Sequence, residues 1–272
     1  MTRARDLADG ADKDITGTLT TDGLTVAGNV SVDSGTIKLD GNYPTGSNNV
    51  ALGDAALDDG SLSGANNTAI GAAALTDNTS AGQNTAIGSF AGTNLTTGGL
   101  NVAVGQNALF TATTGTNNVA VGQGSLNALT TASNNTAVGY QSLYSASTVN
   151  GHTAVGHKTL YSNTSGLLNT AVGYNALYAN TTGDYNVASG YTALTANTSG
   201  EYNTAYGSYA LQANTTASNN TAVGYEAGYT NTTGQYNTFI GKAAGKVSTS
   251  DFNTYIGHDA GLLMTSGQKN TI

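Results

Sequence analysis

Few side chains in this chain have the types and spacing that chemistry needs. Its 272 residues include 16 acids, 8 bases and three histidines. Cleaving a glycosidic bond takes two carboxyl groups facing one linkage. No Asp or Glu occurs between Asp77 and Asp184, and the remaining rod acids (Asp54, Asp58, Asp59, Asp184, Glu201, Glu226, Asp251 and Asp259) are scattered. Glu201 and Glu226 fall at different points of the repeat described below. His152 and His157 are near enough in sequence to suggest a metal pair and could face opposite sides of a strand. They lack carboxylate support, and such residues are more commonly polar side chains on the surface. The calcium pattern Gly-Gly-x-Gly-x-Asp is absent, and no Gly-Lys-Ser/Thr phosphate loop follows a strand. Without cysteine, disulfides and thiolate metal sites are excluded. The expectation is a chain that is not an enzyme and needs no cofactor or metal.

Aromatic residues are the more promising candidates, because they recur in columns. Tyr140, Tyr174, Tyr191 and Tyr225 each follow a glycine of the repeat. Phe110, Tyr144, Tyr161, Tyr178 and Tyr229 form a second column, and Tyr185, Tyr202, Tyr236 and Phe252 a third. An exposed ring offers an apolar face and a polar edge to sugars and other flat partners. The first column is therefore the candidate contact for a receptor or glycan. The competing and favoured expectation is that the rings stack along a rod or pack between chains, most strongly for the second column.

These columns exist because the chain is a repeat, and repeats decide architecture before anything else. The pentad Asn-Thr/Val-Ala-Val/Ile-Gly occurs at residues 67–71, 84–88, 101–105, 118–122, 135–139, 169–173 and 220–224. Looser copies start at Asn49, His152, Asn186, Asn203, Asn237 and Asn253. The closing glycines fall at 53, 71, 88, 105, 122, 139, 156, 173, 190, 207, 224, 241 and 257, so that ten consecutive steps are 17 residues. With the pentad Asn as position one, position four is nearly always Val or Ile and position nine usually Leu. Val104, Val121, Val138, Val155, Val172 and Val223 are expected to form one core column, and Leu109, Leu126, Leu143, Leu160, Leu177, Leu194 and Leu211 the other. Small alanines at positions three and eight would let backbones approach.

The pentad reads as a short strand closed by Gly, where positive φ is cheap, and the Asn-Thr-Thr-Gly stretch that follows reads as a turn. Its many Asn-x-Ser/Thr triplets are taken as turn residues rather than glycan acceptors. A 17-residue unit cannot bury a core alone and must stack on its neighbours. Coils stacked at about 4.8 Å would build a rod of roughly 60 Å from thirteen rungs. The fold class expected is all-β, a parallel β-roll or β-solenoid. The chain divides into an N-terminal attachment and shaft segment over 1–48 and a rod over 49–272 of thirteen repeats and part of a fourteenth, which suggests a piece of a longer protein. Residues 3–9 could make a helical turn or two, residues 15–40 two or three strands, and Gly41 to Ser47 the junction.

Charge and segment patterns narrow the partners. A net charge of −8 repels nucleic-acid phosphate and anionic lipid. No signal-peptide pattern opens the chain and no apolar run is long enough for a membrane helix, so nothing in the sequence by itself sends it through a secretion translocon. Two large apolar side chains per rung are few, so self-association is expected.

The pentads with their Ala-Leu and Asn-Thr-Thr-Gly continuations, from Asn49 to Ile272, resemble the head repeats of trimeric autotransporter adhesins. That resemblance implies a left-handed parallel β-roll and an elongated homotrimer; the 17-residue unit is longer than is usual in that family. The opening Thr2-Arg3-Ala4-Arg5-Asp6-Leu7-Ala8-Asp9 and the stretch from Asp14 to Val26 resemble tail-fibre and virion appendage proteins of marine and cyanobacterial phages. This implies a structural fibre of a phage virion, docked on a virion protein through its N-terminal segment and reaching toward a host surface glycan or protein. Two alternatives stay open: a bacterial trimeric surface adhesin, located on the cell surface, and a monomeric β-solenoid that binds ice or another surface. The latter needs a regular Thr face, whereas Thr here clusters mainly in turns.

Overall fold

The computed structural model of the protein describes residues 47–272. The expectations for a helical turn and strands before residue 41, and for the N-terminal docking segment, lie outside the described residues. The rod is an all-β parallel solenoid. Thirteen three-residue strands, from β1 (Val50–Leu52) through β7 (Thr153–Val155) to β13 (Thr254–Ile256), pair in strict sequence order into one parallel sheet. Register follows the repeat, as in Thr136↔Thr153 and Ala137↔Ala154. A bridge from Thr254 to Thr271 begins one more rung. No helix occurs among the described residues.

Only one side of each coil has strand geometry, yet rungs hydrogen-bond on the other sides too. The Leu177 N–H donates to the Ala193 carbonyl at 3.0 Å, and the Thr181 N–H to that of Thr198 at 2.9 Å. The corners between sides are left-handed. Position five is Gly throughout, with φ from 125 to 145°. A Cβ at Gly139 would lie 2.2 Å from the Gly156 carbonyl oxygen, so this column is glycine for both conformation and close approach.

Positions seven, nine and seventeen also take positive φ, mostly without glycine. The leucines of position nine sit at φ between 47 and 51°, among them Leu109, Leu126, Leu143, Leu160, Leu177, Leu194 and Leu211. A non-glycine residue loses about 1–2 kcal/mol there, whereas fully burying Leu gains about 1.5–3 kcal/mol. Burial wins, and these leucines form the fully buried spine.

The other expected core column is corrected by the fold. Val104, Val121, Val138, Val155, Val172 and Val223 do not line the interior. They point outward from the sheet, half-buried or, for Val172 and Val223, exposed. Position three, the small Ala, points inward: Ala103, Ala120, Ala137, Ala154 and Ala171 are all buried. Period two along a strand forces positions three and four to opposite faces, and the interior is too narrow for a large residue opposite Leu. The last rungs show how that space is shared. There Phe239 and Tyr255 replace the inward Ala, and Gly228, Gly245 and Gly261 replace Leu. A Cβ at Gly245 would come within 2.3 Å of the Phe239 ring, and one at Gly261 within 2.6 Å of the Tyr255 ring.

Candidate functional site: ladders inside and outside the coil

Inside, the pentad Asn of position one is buried in all twelve strand-bearing rungs that have it, from Asn49 to Asn253. Its Oδ1 accepts the backbone N–H of the next rung's Asn, as from Asn101 to Asn84 at 2.9 Å. Its Nδ2 donates to the position-fifteen carbonyl of its own rung, as from Asn84 to Gly98 at 3.0 Å. One amide thus clips its own coil shut and ties it to the next. A strict Asn at the start of a strand, where Asn is disfavoured, was the available signal for this ladder, and turn chemistry does not explain it.

His152 stands in this column, buried and not on the surface as expected. It reproduces the Asn pattern. Nδ1 accepts the Asn169 N–H at 3.1 Å, and Nε2 lies 3.3 Å from Asn163 Nδ2 of its own rung, where Gly166 also hydrogen-bonds the ring. Its own N–H donates to Asn135 Oδ1 at 3.0 Å. Burial holds its pKa below the usual histidine value, against smaller opposing effects of the Asn169 and Gly166 hydrogen bonds and the Asp184 charge. His157 lies outside, so the two histidines do not meet. Among the described residues no group of three or more His, Cys, Asp or Glu is placed to hold a metal.

Outside, the aromatic columns stack along the rod. Tyr140, His157, Tyr174 and Tyr191 form one rail with centroids 5.3, 4.7 and 5.2 Å apart and rings within 24° of parallel. Tyr209 continues it edge-on toward Tyr225, whose phenol pKa is raised, chiefly by the Glu226 carboxylate. Tyr144, Tyr161 and Tyr178 form a second rail at 5.2 Å spacing. In the third column Tyr185 stacks on Tyr202 and Tyr236 on Phe252. The expected stacking is therefore present in all three columns. The candidate contacts Tyr140, Tyr174, Tyr191 and Tyr225 are also exposed, while the second rail is half-buried. Face-to-face stacking covers ring faces, so what the rails present outward is ring edges and phenolic hydroxyls.

A feature of the sheet's outer face was missed in the sequence. Position two is Thr in most strands, making a Thr column beside the Val/Ile column of position four. Thr is thus not confined to turns. Comparison with protein-family models, curated proteins and solved structures found no match to this chain.

Proposed function

We propose that this chain is the rod of a homotrimeric attachment fibre carried on a phage virion, structural rather than catalytic. The observation that carries the reading is the outer sheet face. Positions two and four hold no charged residue in any of the thirteen strands. Position seventeen extends the strip with exposed Leu100, Leu168, Tyr185, Tyr202, Tyr236 and Phe252. At about 4.8 Å per rung and about 3.3 Å per residue across, the strip covers roughly 800 Å². This matches in size what one partner contributes to a standard interface.

Only a partner with the same pitch engages every rung, and a parallel copy of the chain has it. Closed symmetry satisfies the same strip on each copy; the number three comes from the resemblance to adhesin heads. In this reading the N-terminal segment docks on a virion protein and the rod carries attachment outward to a host surface glycan or protein. Nucleic acid and membrane insertion play no part.

Light scattering on the purified chain tests the assembly. A mass near three times 27.1 kDa is expected, falling to one chain when Val121→Lys and Val138→Lys charge the strip. A folded monomer of the unmodified chain would overturn it. Gold-labelled antibody against the chain should decorate virion appendages; labelling of bacterial cell surfaces instead would move the rod to a surface adhesin. The Thr column favours one second reading, a monomeric surface- or ice-binding solenoid, and a monomer with thermal hysteresis would establish it.

A further inference from the structure

We infer that the two aromatic rails bound a binding track for an extended acidic polysaccharide lying along the rod. The inference rests on the attachment reading above and gives it a ligand class. Between the Tyr140–Tyr191 rail and the Tyr144–Tyr178 rail run the position-seven side chains, among them Gln141, Lys158 and Asn175. They sit on left-handed corners that hold the backbone in one conformation. Lys158 Nζ lies 5.8 Å from the Tyr140 ring centre and 5.3 Å from that of Tyr161, so it bridges the rails. Asn175 Oδ1 reaches the His157 ring at 3.4 Å. The track is a polar floor between two aromatic edges, carried by three successive rungs.

Three features select the ligand. Aromatic rings, three phenols and the His157 imidazole, recur every 4.7–5.3 Å along the first rail, a spacing close to one pyranose residue of an extended glycan, so each sugar meets one rung. Stacked rings cover each other's faces, so sugars are held by hydroxyl-to-phenol and hydroxyl-to-amide hydrogen bonds and by ring edges rather than by face stacking. Lys158 supplies the sign. Ion pairs among the described residues are Lys246 with Glu226 and His258 with Asp259, and no acid occurs between Asp77 and Asp184. The ammonium therefore stands between the rails without a carboxylate, ready for one from a uronate. Nucleic acid, the other extended polyanion, needs open aromatic faces for its bases and a row of cations for its phosphates; here the rings cover one another's faces and Lys158 stands alone between the rails.

Calorimetric titration of the full chain with an alginate hexamer, a linear uronate, and with cellohexaose, its neutral counterpart, tests the track. The uronate should bind at least tenfold tighter. Lys158→Gln should remove that preference and flatten its salt dependence. Tyr174→Phe with Tyr161→Phe, which keeps the stacked rings, should weaken both ligands several-fold. Circular dichroism of each variant checks that the surface substitutions leave the coil folded. No binding of either oligosaccharide, or binding unchanged in Lys158→Gln and in the Phe variant, would overturn the inference. A trimer that binds neither glycan sinks the track and leaves the fibre standing; a monomer that binds alginate does the reverse.

Discussion

The coil is filled in two ways, and they meet at His152. In the first six rungs, position twelve is mainly apolar and alternates in size: Leu62, Asn78, Leu95, Ala112, Leu129 and Ala146. In the next five it is Asn163, Asn180, Asn197, Asn214 and Asn231, all buried. There Nδ2 of each of Asn180, Asn197 and Asn214 donates to Oδ1 of the preceding Asn at 2.7–2.8 Å. Asn180 also donates to the Gly183 carbonyl of its own rung at 3.0 Å. Asn78 shows why the two solutions do not mix. Lying between Leu62 and Leu95 in its column, it has neither amide atom hydrogen-bonded. A buried amide is stabilising inside a ladder and a liability outside one, because its partner is another copy of itself.

Breaking the ladder should have the largest effect. Asn197→Leu leaves Asn180 Oδ1 without its donor and removes one of the two acceptors of Asn214 Nδ2, which keeps the Ala217 carbonyl. With each orphaned buried group costing about 1–3 kcal/mol, a loss of about 2–4 kcal/mol is expected, read as a lower urea midpoint. Unchanged stability would mean that the two halves are equivalent and that these contacts contribute nothing.

The opposite change in the apolar half should stabilise. Asn78 occupies a small-residue slot between two leucines, so Asn78→Ala completes the Leu/Ala alternation and deletes two unpaired polar atoms. A gain of about 1–2 kcal/mol is expected from the removed desolvation penalty. Asn180→Ala, the same substitution across the boundary, should destabilise. Equal signs for the two would refute the contrast.

Much of this architecture was legible in the sequence and some of it was not. Asn at position one, Gly at five and Leu at nine fix the period, and the period gives the rungs, their parallel order and the aromatic columns. Inside and outside were harder. Ranking residues by hydropathy put Val104 and its column in the core, although strand alternation places it opposite Ala103. What decides is the narrow interior, which takes Ala with Leu or Phe239 with Gly but not Val with Leu. The buried ladders were obscured for a similar reason: Asn180-Thr181-Thr182-Gly183 reads as turn chemistry, and only the register between rungs shows each amide meeting its predecessor. The aromatic columns were visible at their spacing; the coverage of their faces by one another depends on the rung pitch and on parallel ring planes.

The smallest expected effect is confined to acid pH and sits at the boundary itself. His152 can replace Asn only while neutral, since Nδ1 must accept the Asn169 N–H. Its folded pKa lies below the usual 6.5, chiefly because the ring is buried. Between the two values the unfolded chain binds more protons than the folded one, so stability falls as pH drops below about 6.5 and levels off once the folded form is protonated too. The charge that acts on the ring is that of Asp184, and it opposes the shift. His152→Asn restores the amide of every neighbouring rung and should leave stability at pH 7.5 nearly unchanged while removing this part of the acid loss. Amide exchange of residues 153–186, followed from pH 7.5 to 5, separates the local effect from general titration of the acids. If exchange there accelerates equally with His and with Asn at position 152, the imidazole is no weaker a clip than the amide, and the boundary between the two fillings is as sturdy in acid as the rungs on either side.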